Sequence, residues 1–267
     1  MFFNRKAQCV LCAALCLSGL VVARIAIAQQ ARPAFEVASI KPSDSLTRGG
    51  GSGWEPGGRF RGVNVPGVVL LQMAYGTPTR ILLRYQLDGV PGWLSQARYD
   101  ITGKIRTDLA SANLDELGTK GPIYLRSLLE DRFKLRIHHE SRQLPRYRLV
   151  RERSDGLGPR FRRSTCATAP ETMCTFEYLA NRMTFDGITM GRLADELAGK
   201  VDRVVVDDTG LKSGTFYMDL TWSPDGSAGD TPEIFTALRE QLGLRLESER
   251  GAVDVLVIDR VERPAAD

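Results

Sequence analysis

An internal repeat constrains this chain more than any other feature of its sequence. RFRGVNVPGVVLLQMAYG (residues 59–76) resembles RMTFDGITMGRLADELAG (residues 182–199) 123 residues later. Each reads as a short strand, a turn and a helix ended by glycine. ARYDITGKI (97–105) matches TFYMDLTW (215–222) as an alternating strand. GPIYLRSLLEDRFKLRIHHE (121–140) parallels TPEIFTALREQLGLRLESE (231–249): both open with proline at the first helical position, carry an apolar stripe and pass into an alternating strand. Residues 147–150 and 255–258 match as closing strands. The order in each half is strand, helix, strand, helix, strand, strand. It predicts an α+β fold made by tandem duplication of a small module, with mixed or antiparallel sheets and helices packed on one face.

Local chemistry supports the elements. Thr231 is placed to cap a helix started by Pro232, with Ile234, Phe235, Leu238 and Leu242 on one face before Gly243 stops it. Ile123, Tyr124, Leu128 and Leu129 form the matching stripe, and Leu193, Ala194 and Leu197 form a shorter one after Thr189. Two stretches lie outside the repeat. Residues 47–60, rich in glycine, read as a mobile surface loop in which Trp54 is the one candidate ligand contact. Residues 151–175 read as a linker. The expected organisation is therefore a leader at 1–28, a first module at 29–150, the linker, and a second module at 176–267.

The leader has Arg5 and Lys6, thirteen residues of apolar character from 10 to 22, and Ala26-Ile27-Ala28, which predicts cleavage between Ala28 and Gln29. Thirteen residues fall short of the roughly 20 that span a bilayer, so no stable membrane span is expected after cleavage. A lipid-attached form is disfavoured, because Cys12 and Cys16 each follow leucine rather than a small residue. Cleavage removes three of five cysteines and leaves Cys166 and Cys174, an even pair that suggests a disulfide in an oxidising compartment. Their spacing is no metal signature, since further Cys or His ligands are lacking nearby.

Removing Arg5, Lys6 and Arg24 takes the net charge from +4 to +1, so no general affinity for polyanions follows, and no nucleic-acid partner is expected. The distribution is uneven: residues 126–163 hold twelve Lys or Arg against five Asp or Glu, and residues 164–267 hold ten against nineteen. Attraction between the two regions explains this as well as steering of an anionic partner does.

Catalytic groups are sparse. His138 and His139 are the only histidines, and neighbours on a strand face opposite ways, so they do not make one metal site. His138 and Glu140 share a face, which is too few ligands. A serine triad has no G-x-S-x-G elbow, and no cofactor motif is present. The sharper candidate is Asp208-Thr209-Gly210 after the apolar residues 204–206, with Asp88-Gly89 in the first half. Two carboxylates sharing a proton in this way would activate water as in an aspartic protease, although Asp-x-Gly is also common turn chemistry.

FEVASIKPS (35–43), GGRFRGVNVP, QMAYG, GVPGWLSQARYDI, LLEDRFKLRIHHESRQLPRYRLV, VVDDTGL and VDVLVIDRVERP, in that order, resemble the acidobacterial-type soil-associated proteins, a family built on a domain of unknown function. The resemblance covers nearly all of the chain after the leader. It implies an exported protein with relatives beside membrane metallopeptidase-type sensor segments, and no established activity or catalytic residue. Each half also resembles, more distantly, the small α+β domains at the N-termini of secretins and TonB-dependent receptors. The favoured expectation is a non-catalytic binding or sensing module without cofactor, periplasmic or secreted, with an envelope or extracellular ligand or protein as partner. The alternative is a secreted hydrolase working through Asp208 and Asp88.

Overall fold

The computed structural model describes residues 33–44, 50–77, 80–106, 114–153, 156–166, 173–223 and 231–265. The leader at 1–28, with Ala28 and Gln29, lies outside the described residues, as do 47–49 of the glycine-rich stretch. In chain order the elements are β1 (Val37–Pro42), β2 (Gly51–Glu55), β3 (Arg59–Pro66), α1 (Gly67–Tyr75), β4 (Leu87–Asp88), α2 (Gly92–Gln96), β5 (Arg98–Lys104), α3 (Leu114–Arg132) and β6 (Arg136–Arg151). There follow β7 (Phe161–Arg163), β8 (Thr175–Leu179), β9 (Arg182–Ile188), α4 (Met190–Val201), β10 (Val205–Asp207), β11 (Phe216–Thr221), α5 (Ile234–Ala237), which runs on as a π-helical turn to Leu242, and β12 (Leu244–Arg260). The fold is α+β, with antiparallel and mixed sheets.

Alternation sets the sheets. In β3, Phe60 and Gly62 are buried between exposed Arg59 and Arg61, and in β11 Phe216, Met218 and Leu220 are buried between half-buried neighbours. One face of each strand therefore meets helices and the other meets water. The first outer sheet has the order β1-β5-β3-β2 and the second β7-β11-β9-β8, both antiparallel throughout. In each outer sheet the strand leading into the first helix of its half contains a residue with positive φ, Asn64 in β3 and Gly187 in β9, 123 residues apart. Lys134 after α3 and Gly243 after the π-helical turn, 109 residues apart, are likewise left-handed and turn the chain into a long strand.

Those two long strands are the spine. β6 and β12 pair antiparallel from Arg151↔Leu244 to Arg136↔Arg260, and the short strands β10 and β4 flank them in parallel, giving the order β10-β6-β12-β4. The 109-residue offset maps Gln143 onto Ala252, which face each other in the register, so the pairing is symmetrical about its own middle. Two hydrophobic cores sit at opposite ends of this ribbon. One gathers Phe60, Leu71, Ile101, Leu128 and Phe133 with Leu256 and Ile258 from the end of β12. The other gathers Phe185, Leu193, Phe216 and Leu238 with Leu149 from the end of β6. Each long strand thus starts in the core of its own half and finishes in the core of the other. The halves are interlocked, and residue 150 is not a spatial boundary.

Polar contacts reinforce the crossing. Arg80 Nε lies 3.2 Å from the Asp195 carboxylate of α4, the Val204 N–H donates to Tyr85 Oη at 2.8 Å, and Gln86 Nε2 donates to the Asp254 carbonyl at 3.0 Å.

Several expectations from sequence are revised. Residues 51–55 are not loop but strand β2, joined to β3 by a turn in which Gly57 and Gly58 have φ of 80° and 70°. The closing strands at 147–150 and 255–258 are continuous with the strands before them. α3 begins at Leu114, so Pro122 is interior, and Ile123 is exposed while Leu125 takes its place in the stripe. α5 begins at Ile234 with Glu233 at its N-cap, two residues after the expected Thr231 cap, and Phe235 is partly exposed. Within 151–175, residues 161–163 are strand β7, and Phe161 is buried in the second core. Thr189 does cap α4: the Arg192 N–H donates to its hydroxyl at 3.3 Å.

Candidate functional site

The sequence-selected acids and histidines fall largely on one face of the β6–β12 ribbon, where they are knitted together. Residues directly opposite in an antiparallel pair share a face, which puts His138, Glu140, Arg142, Arg146 and Arg148 with Val257, Val255, Val253, Glu249 and Glu247. At one end His138 contacts Asp259 at 2.9 Å and Glu140 at 3.0 Å, and Arg142 bonds Glu140 and Asp88, each at 2.7 Å. At the other end Arg146 meets Glu249 at 2.7 Å, and Arg148 bonds Glu247 at 2.6 Å and Asp208 at 2.8 Å. Val253 and Val255 beneath this layer are only 2% and 1% exposed; the aliphatic stems of the paired side chains shield them.

Electrostatics follow the pairing. His138 is held above its ordinary pKa, first by its bond to Glu140 and then by Asp259. Glu140 is lowered by His138 and Arg142, Asp88 by its bond from Arg142, and Glu247 by Arg148. Each shift favours the charged form of its group, the opposite of the split protonation that acid–base chemistry uses.

Asp88 and Asp208 are not brought together. Asp88 stands opposite Val257, whereas Asp207, just before Asp208, aligns through Leu149 with Leu246, eleven residues away along β12. That offset is roughly 35 Å of strand. Asp-Thr-Gly here builds a turn: the Asp207 carboxylate accepts from the Thr209 N–H at 3.0 Å and its hydroxyl at 2.7 Å, the Leu211 N–H donates to that hydroxyl at 3.2 Å, and Gly210 has φ of 73°. His139 faces away from His138 and bonds Asp254 at 2.8 Å. Among the described residues no group of three or more His, Cys, Asp or Glu is placed to hold a metal ion.

Trp54 lies on β2 opposite Phe60, and its ring packs against Phe35 and Tyr124, with centroids 5.9 Å and 6.3 Å away. α3 covers it closely: a Cβ on Gly121 would fall 2.3 Å from the indole nitrogen. The corresponding residue of the second outer sheet is Tyr178 on β8, opposite Met183, which is 123 residues after Phe60. Where α3 covers Trp54, Tyr178 meets side chains of α4, Glu196 and Arg192, and the next described helix, α5, begins at Ile234.

Among the described residues β8 is an edge strand, with Phe176 and Tyr178 on one face opposite buried Phe185 and Met183, and Leu179 on the other face. Phe176, Tyr178 and Leu179 are 64%, 45% and 54% exposed. The Tyr178 ring leans edge-on to buried Phe185 at 5.2 Å, and its phenol is pushed above its ordinary pKa by partial burial and by a hydrogen bond to Glu196. The strand is anchored at its start. Cys166 and Cys174 are disulfide-bonded across eight residues of sequence, the Cys166 N–H donates to Ser164 Oγ at 2.9 Å, and the Cys174 N–H donates to the Asp186 carbonyl at 2.9 Å. Sequence reasoning did not single out β8. Its signal was Phe176-Glu177-Tyr178-Leu179 beginning two residues after Cys174.

Among the described residues no helix is long and apolar enough to cross a membrane. Comparison with curated proteins and with solved structures returns no match. A family model does match, over residues 69–261, a span that contains the whole ribbon, the disulfide and β8. The chain belongs to the family described as Protein of unknown function (DUF3738).

Proposed function

We propose that this protein is an exported, non-catalytic binding module that takes an extended segment of an envelope or extracellular protein onto β8. The observation that carries the reading is the edge itself: a strand whose outer flank has no partner among the described residues, with exposed Phe176 and Tyr178 on one face and Leu179 on the other, tied at its start by a disulfide. Native sheets normally blunt such edges with charge, proline or a covering element. An added strand would pair with the backbone and seat its alternate apolar side chains beside Phe176 and Tyr178. Export rests on the sequence of residues 1–28 and on the use of a disulfide. Matched sheet orders, left-handed residues and ribbon register support descent by tandem duplication. The hydrolase alternative would need Asp88 and Asp208 to share a proton, and each is instead bound to its own arginine.

The test uses the protein lacking residues 1–28 as bait on envelope extract and culture medium, beside a variant carrying Phe176→Ser and Leu179→Lys. The expected result is a partner retained by the parent and reduced at least tenfold by the variant, with unchanged circular dichroism. Equal recovery by both proteins would sink the β8 assignment.

A further inference from the structure

The outer face of the first outer sheet, turned away from its core, carries a second site that does not depend on β8. Across the strand order β1-β5-β3-β2 the register aligns Val37, Lys104, Arg59 and Glu55 in one row. Ser39, Thr102, Arg61 and Gly53 align in the next. Most of these side chains line an open cleft of about 530 Å³, bounded by Val37, Glu55, Arg59, Arg61, Thr102 and Lys104. Arg59 and Lys104 are direct cross-strand neighbours, with Cβ atoms about 5 Å apart in such a pair. Arg61 follows on the same face, about 7 Å along β3.

Like charges directly opposite on a sheet are destabilising, and among the described residues only Glu55, cross-strand from Arg59, offsets these. Among the described residues Arg59 and Lys104 have no carboxylate within ion-pair distance, and the one nearby acid, Glu55, reaches Arg61 only at 4.0 Å with both side chains well exposed. The next row is neutral in contrast: Lys41 stands opposite Asp100, whose carboxylate also accepts the Asn64 N–H at 2.7 Å. The ribbon likewise pairs its arginines with acids. The unneutralised cations are therefore concentrated at one end of one face.

We infer that this face binds a phosphomonoester. Three cations against one carboxylate leave a surplus of two positive charges, matching the charge of about −2 on a phosphomonoester. A single carboxylate ligand would leave one cation unsatisfied. Two guanidinium forks on one strand provide paired N–H donors for phosphate oxygens, Lys104 adds a compact charge, and Thr102 and Ser39 present hydroxyls beside them. The open cleft suits a group carried on a larger body, either a phosphorylated sugar or a lipid headgroup.

The probes are inorganic phosphate, glucose 6-phosphate and vesicles containing phosphatidic acid. They are titrated at low salt into the parent, an Arg59→Thr/Lys104→Thr double variant and a Glu55→Gln variant. The parent is expected to bind at least one probe, and the double variant to bind it about tenfold more weakly. Glu55→Gln is expected to bind it more tightly than the parent. Without ligand, the double variant should melt about 1–2 °C higher, because the cross-strand repulsion is gone. Binding of the soluble probes supports a sugar or free phosphate source, and binding of vesicles alone supports a headgroup. The inference is overturned if the parent binds none of the three, or if the double variant binds as the parent does.

Discussion

Leu256→Ala tests the interlocking of the two halves most directly. Leu256 belongs to the last strand of the chain, is 1% exposed, and packs in the first core beside Leu87 and Ile258. Truncating a leucine so buried costs about 3–4 kcal/mol through lost transfer energy and the remaining cavity. At roughly 2–4 °C per kcal/mol for a chain of this size, the midpoint should fall by about 6–16 °C. What matters is how the loss is distributed. Trp222 is buried in the second core, whereas Trp54 and Trp93 pack against the first. Melting is followed by fluorescence in two backgrounds, one with Trp222→Phe and one with Trp54→Phe and Trp93→Phe. Because β6 and β12 run through both cores, both reporters should move together and trace one transition. If the two cores were independent, the first-core reporters would shift while Trp222 stayed at its original midpoint. Two separated transitions of that kind would refute the shared-ribbon account.

Two further outcomes follow from the same structure. His138 is raised above its ordinary pKa of about 6.5 by Glu140 and Asp259. Its stabilising contribution is therefore complete below that value and lost as pH rises through the folded-state pKa. The urea midpoint of the parent should drop from pH 5.5 to 8.5 by more than that of His138→Gln, and parallel curves would contradict the assignment. Reducing the Cys166–Cys174 bond releases a loop of eight residues' separation. It should cost about 2.5 kcal/mol in the loop-entropy model, seen as a lower calorimetric midpoint in dithiothreitol. An unchanged midpoint would show that the bond does not constrain the unfolded chain.

Local pattern made most elements legible, because it reports periodicity and caps. Alternation located β3, β5, β9 and β11, and Thr189 marked the start of α4. What failed was information carried between elements. Gly51 to Glu55 looks like loop because glycine is a poor strand former, yet pairing with β3 and the Trp54 contact with α3 override propensity. The break inferred between residues 140 and 147 was absent because polar residues there lie on a solvated part of a continuous strand. Asp208 resembled a catalytic loop because its local motif is shared between turn and active site, and only the register separates it from Asp88. β8 was missed because its significance lies in what does not cover it, and a linear reading does not show that.

The crossing of the ribbon also has a consequence in time. The first core requires Leu256 and Ile258, and β6 requires β12 along its whole length. During synthesis the N-terminal half therefore lacks part of its own interior until Leu256 and Ile258 have emerged. Contacts so distant in sequence close late. Under the proposed export, in which the chain would be threaded through a membrane while still extended, such delayed closure acts as an intrinsic brake on premature folding, set by strand order rather than by a bound factor.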